Sequence, residues 1–222
     1  TFFDVLDQVR AAGDAKLRVL AIDGPAGSGK STLAKKVAEQ LDLSYLDTGA
    51  MYRSVAAVAL SESAELDDEA KIAAIADRIV IRFDGESVDV DGEDLTETIR
   101  GPQVNAAVSQ VAANPGVRSL MRRQQRTWAR IRGGGVLEGR DIGSVVFPQA
   151  RLKVYVTATS EERARRRSLE SGRTVEDITE EILQRDTKDS TRGDSPLVAD
   201  QDAVVIDTTG KTIQETADYI EK

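Results

Sequence analysis

The stretch Gly24-Pro25-Ala26-Gly27-Ser28-Gly29-Lys30-Ser31-Thr32 constrains this chain more than any other. Before it runs Leu17 to Asp23, short and apolar, which reads as a buried parallel strand. After it Leu33, Val37, Ala38 and Leu41 recur at the spacing of a helix's inner face. Strand, glycine loop and helix in that order turn G-x-x-x-x-G-K-[ST] into a phosphate-binding loop. Gly24, Gly27 and Gly29 permit backbone angles that aim successive N–H groups inward, where a side chain would strike a phosphate. The helix N-terminus adds partial positive charge. Lys30 is placed to reach the β- and γ-phosphates of a nucleoside triphosphate, and the Ser31 hydroxyl to ligate Mg²⁺. A plain glycine turn is the competing reading, but the flanking strand and helix speak against it.

Composition narrows the chemistry. The 222 residues suit one α/β domain with small insertions. Hydrophobic residues make up 40% of the chain and no run reaches the length of a membrane span, so a soluble protein is expected. The start of the chain lacks a basic-then-apolar signal segment, which points to the cytoplasm. There is no cysteine and no histidine, so imidazole-dependent hydrolysis and sulfur- or histidine-bound zinc are disfavoured. Phosphoryl transfer loses little by this, because it rests on positioning and electrostatics. A net charge of −8 argues against a general nucleic-acid surface.

Along the chain, Phe2, Val5, Leu6 and Val9 suggest a short helix before Gly13. Ser44 to Asp47 reads as a strand and Ala50 to Ala57 as a helix, with Asp47-Thr48 suited either to N-capping or to holding a ligand. Residues 61 to 77 read as an acidic helix. From Arg78 the period becomes two, and with the Asp91-Gly92 turn this predicts a small antiparallel sheet inserted over 78–100. Val104 to Arg132 returns to helix, broken near Asn114-Pro115, with Ser109, Arg118, Arg122, Arg123, Arg126 and Arg130 on its polar face. No one of these arginines stands out by pattern. Gly135 to Glu138 forms a strand, and Arg140 and Asp141 follow its carboxyl end, where open α/β sheets bind ligands. Leu152 to Val156 is another strand, leading to a helix with Arg163, Arg165, Arg166 and Arg167. Gly172 to Thr179 reads as a polar turn, Arg185 to Arg192 as a charged loop, and Ala203 to Ile206 as the final strand before a closing helix. Thr187-Lys188-Asp189-Ser190 approaches a guanine reader but sets the aspartate one place early.

Four blocks in this order resemble bacterial cytidylate kinases, a family of P-loop nucleoside monophosphate kinases. They are Asp23 to Thr32, Leu46 to Arg53, Gly139 to Pro148 and Arg185 to Arg192. The resemblance extends from about Leu17 to the C-terminus. It implies an α/β P-loop three-layer sandwich, a parallel sheet flanked by helices. A small antiparallel insert binding the monophosphate and a mobile helical LID complete it. The divisions expected are an N-terminal helical extension (1–16), CORE (17–77), CMP-binding insert (78–103), CORE (104–160), LID and charged loop (161–192) and CORE (193–222).

The implied activity is transfer of the ATP γ-phosphoryl group to CMP or dCMP. Thr48 matches a hydroxyl position near the cytosine. Arg53 and Arg140 match arginines on the CMP phosphate, and Ser109, Arg118 and Asp141 match readers of the base. Arg185 and Asp189 match the pair at the sugar, and Arg192 an arginine near the phosphates. Lys30, Arg140 and Arg192 are the expected catalytic set. Arg163 and Arg166 fall in the LID, where arginines close over ATP. Ser144 stands where threonine is common, and residues 168–174 look shorter than some members' LID. A monomer without nucleic-acid or membrane partners is expected. A P-loop kinase of another small acceptor, such as another monophosphate or shikimate, is one alternative. A nucleotide-binding regulatory module is the other.

Overall fold

The computed structural model describes residues 17–211. The helix expected over 1–16 and the closing helix expected after Gly210 lie outside them. The chain divides into two compact units, Leu46–Trp128 and the segments on either side of it, Thr1–Tyr45 with Ala129–Lys222.

The split unit is built on the phosphate-loop strand. β1 (Arg18–Asp23) is buried along most of its length, and its neighbours are β6 (Gly134–Gly139) and β7 (Leu152–Thr157), both parallel to it. β8 (Val204–Asp207) runs parallel to β7, and β2 (Tyr45–Asp47) starts beside β6, giving the order β2-β6-β1-β7-β8. A five-stranded parallel sheet of this kind needs both faces covered, which its continuous apolar strands already suggest. α1 (Lys30–Gln40) covers one face with Leu33, Ala34, Val37 and Ala38. These pack with Leu20, Ile22, Val136, Leu152, Val154 and Val156 in one core.

After β7 come two antiparallel-packed elements, α6 (Ser160–Ser171) and α7 (Val175–Thr191). The polar turn expected over Gly172 to Thr179 is confined to its first residues. The Thr174 side chain accepts the N–H of Asp177 and caps α7, and Ile178 and Ile182 bury against Ala164 of α6. One turn of apolar contact therefore outweighs the polar composition, and the charged stretch from Arg185 to Thr191 is helix rather than loop.

The other unit holds α2 (Thr48–Ser61), α3 (Glu69–Arg78), α4 (Pro102–Ala113) and most of α5 (Pro115–Ile131). The acidic helix expected over 61 to 77 begins only at Glu69. Ser63 takes a positive φ of 51° after α2, and the Asp68 side chain caps α3 on Lys71 N–H. The alternating run gives a three-stranded antiparallel sheet of β3 (Ile81–Asp84), β4 (Ser87–Val90) and β5 (Glu93–Asp94). Among the described residues no helix is long and apolar enough to cross a membrane.

Candidate active site

The phosphate loop joins β1 to α1 as the sequence requires. Gly27 and Gly29 adopt φ values of 76° and 86°, which most side chains resist. Gly24 is glycine for a nearer reason than phosphate. A Cβ there would stand 2.1 Å from the Val156 carbonyl oxygen on the neighbouring strand, so the turn can leave β1 only without a side chain. Lys30 is buried and its Nζ donates to the Pro25 carbonyl at 3.4 Å, folding the ammonium back over the loop.

Ser31 leads to a residue that the sequence reading passed over. Its Oγ donates to Glu138 Oε2 at 2.7 Å, and the Tyr45 hydroxyl donates to the other carboxylate oxygen. Glu138 is 2% exposed, at the end of β6 beside β1. The signal available was an apolar run closing on an acid, Gly135-Val136-Leu137-Glu138. A hydroxyl and a carboxylate are hard oxygen donors and suit Mg²⁺. Among the described residues no three of His, Cys, Asp and Glu gather as a protein-only metal cage.

The turn after β6 carries the next group. Asp23, the last residue of β1, accepts the backbone N–H of Ile142 and of Gly143, both at 2.8 Å, and so fixes the π-helical turn Ile142–Val146. A Cβ on Gly143 would meet the Lys153 side chain at 3.2 Å and Asp23 at 3.4 Å, so the turn sits close against both. Burial pushes the Asp23 carboxyl up to about 7, against those two N–H groups. The same turn positions Arg140 and Asp141 next to α7. Arg140 Nε donates to Asp189 at 3.0 Å, and Arg192 lies 3.7 Å from Asp141 and 3.9 Å from Asp189. Arg185 completes the ring at 4.0 Å from Asp189. Burial works against ionisation of Asp189, but Arg140, Arg185 and Arg192 outweigh it and hold the carboxyl below its usual range.

Arg163 and Arg166 are buried behind the phosphate loop. Arg163 donates to the carbonyls of Ala158 and Ala26 and to Asp186, and Arg166 to Glu162, Thr208 and the Lys211 carbonyl.

In the Leu46–Trp128 unit, Asp47 caps α2 through Ala50 N–H and pairs with Arg53 at 3.5 Å. Of the two readings of this stretch, N-capping is the one the fold displays. Thr48 is 3% exposed and Ser109 is half-buried on α4. Of the arginines on α5, the fold singles out Arg118. It is 1% exposed, its Nη1 donates to the Ala112 carbonyl, and its guanidinium lies 5.5 Å from the centre of the Tyr52 ring. Arg123 by contrast is exposed and pairs with Asp77 at 3.3 Å.

The family model "Cytidylate kinase" matches residues 20–222. The chain belongs to the cytidylate kinase family. It is 47% identical to the cytidylate kinase of Desulforamulus reducens over 91% of this chain and 95% of that one. It is 46% identical to that of Lysinibacillus sphaericus, over 91% and 94%. Among solved structures, an uncharacterized protein from Eubacterium ventriosum superposes with a TM-score of 0.50 at 11% identity, over 91% and 95% of the two chains. That likeness concerns the fold alone.

Proposed function

We propose that this protein transfers the γ-phosphoryl group of ATP to CMP or dCMP, giving CDP or dCDP and ADP. The observation that carries this reading is the ring of Arg140, Arg185 and Arg192 around Asp141 and Asp189, in the same unit as the phosphate loop. A phosphoryl acceptor bearing its own phosphate needs cations in addition to those that hold the triphosphate.

The residues divide the work. Gly24 to Thr32 take the ATP phosphates, and Lys30 neutralises charge that grows between the β- and γ-phosphates as their bond lengthens. Arg53 and Arg140 hold the CMP phosphate, so that one of its oxygens attacks the γ-phosphorus in line. Arg192 spreads charge over the transferred group. Ser109, Arg118 and Asp141 read the cytosine with Thr48 near it, and Arg185 and Asp189 take the sugar. Arg163 and Arg166 serve the ATP side. Ser31 and Glu138 would hold Mg²⁺, which would supply positive charge to offset that of the phosphates. No histidine is needed, because the acceptor oxygen is already anionic at neutral pH. A cytoplasmic monomer fits this reading.

Coupled ADP release with a panel of CMP, dCMP, UMP, AMP and shikimate tests it. CMP and dCMP should turn over fastest, with activity lost in EDTA and restored by Mg²⁺ but not by Ca²⁺. Equal or greater turnover with another acceptor, or none with any, would overturn it.

A further inference from the structure

The phosphate loop is gripped from behind by its carbonyl groups. Arg163 Nη1 donates to the Ala26 oxygen at 3.2 Å, and the Thr208 hydroxyl donates to the Ser28 oxygen at 3.0 Å. In a trans peptide the carbonyl and the following N–H point to opposite sides. Drawing the carbonyls of Ala26 and Ser28 backward therefore turns the N–H groups of Gly27 and Gly29 to the other side of the loop. Glycine by itself leaves such peptides several settings of similar energy. Something outside the loop has to select one.

Both grips are themselves fixed. Thr208 has no exposed surface, and its hydroxyl oxygen accepts from Arg166 Nη1 at 3.0 Å. A threonine has one hydroxyl proton to give, and the Thr157 carbonyl also lies 3.1 Å away. That carbonyl is already occupied by the main-chain N–H of Thr208 at 2.9 Å, and the Ser28 oxygen is the nearer of the two acceptors for the hydroxyl. Arg166 is held in turn by Glu162 and by the carbonyls of Thr208 and Lys211. Arg163 is 5% exposed and anchored by Asp186 at 2.6 Å and by the Ala158 carbonyl at 3.1 Å.

We propose that Thr208 and Arg163 are positioning residues for ATP, presetting the phosphate loop through the carbonyls of Ser28 and Ala26. They raise affinity by sparing the bound state the ordering of those peptides, and Thr208 does so from a position with no exposed surface. The inference rests on the reading of Gly24 to Thr32 as the ATP phosphate site.

Calorimetric titration of ATP and of CMP into wild type, Thr208→Val, Thr208→Ala and Thr208→Ser tests it, with a thermal melt of each. Thr208→Val and Thr208→Ala should bind ATP about ten-fold more weakly while CMP affinity stays put. Thr208→Ser, which keeps the hydroxyl, should recover ATP affinity. If Thr208→Val melts below the assay temperature, Thr208→Ala decides, since it removes the hydroxyl without forcing a methyl against Arg166. Wild-type ATP affinity in either variant overturns the proposal. So does a Thr208→Ser as weak as the others, or an equal loss for CMP, which would mark general damage. A wild-type protein that fails to bind ATP at all overturns the phosphate-site reading instead, and is told apart by that.

Discussion

The Nε of Arg140 lies 3.0 Å from Oδ2 of Asp189, joining the end of β6 to the last turns of α7 across 49 residues of sequence. Arg192, 3.9 Å from Asp189, also lies 3.7 Å from Asp141, so two carboxylates share three arginines. Ligand selectivity should follow from which carboxylate is changed.

Cytosine presents a 4-amino donor beside an N3 acceptor, and uracil reverses both. Asp141 can accept from the amino group, while UMP would set an oxygen lone pair against it, leaving buried groups unpaired. Asp141→Asn should therefore shrink the CMP-to-UMP ratio of kcat/KM by about ten-fold or more. Asp189→Ala should weaken both acceptors alike if, as proposed, it takes the sugar. An unchanged ratio in Asp141→Asn places the base reader elsewhere.

Lys30 is a point charge held over the loop, and in the proposed reaction it would count most as charge develops between the phosphates. Lys30→Ala should lower kcat by about 10²-fold or more, with the melting temperature little changed. Near wild-type turnover would remove Lys30 from catalysis.

Asp23 gives the fold a pH dependence of its own. Its carboxyl is raised from 3.8 to about 7 chiefly by burial. The native state thus holds a proton that the unfolded chain has released between those values, so stability falls as pH rises. The contribution is complete below about 4 and gone above about 7, a span worth roughly 4 kcal/mol. Denaturant midpoints from pH 4 to 8 should fall more steeply for wild type than for Asp23→Asn. Parallel curves for the two would count against a protonated Asp23.

The small cluster of Ala164, Ile178 and Ile182 docks the helix that carries Arg185, Asp189 and Arg192. Ile182→Ala should cost about 2–4 kcal/mol by cavity formation and raise KM for CMP more than for ATP. Equal KM values with a lowered melting point would show that α7 holds its arginines without this contact.

The phosphate loop and its flanking strand and helix were legible because their logic is contiguous. Glycine angles, a buried strand and an amphipathic helix are all written within about 25 residues. The same holds for Asp47 at the head of α2 and for the inserted antiparallel sheet, where period and turn chemistry act locally. Composition misled at Gly172 to Arg192, where polar residues look like loop but a Thr174 cap and two buried isoleucines make a helix. Other choices lay beyond any local pattern. Six polar positions on two helices looked alike until packing set Arg118 over Tyr52 and left Arg123 in water. Glu138 acquired its partners only because β6 lies between β2 and β1, bringing Tyr45 and Ser31 from 93 and 107 residues away. Gly24 is glycine because β7 sets a carbonyl against it. The sequence by itself determined which backbone could bind phosphate, since that depends on neighbours in the chain. Strand order decided which side chains serve it, because hydrogen bonds and ion pairs act over a few ångströms of space and take no account of sequence distance.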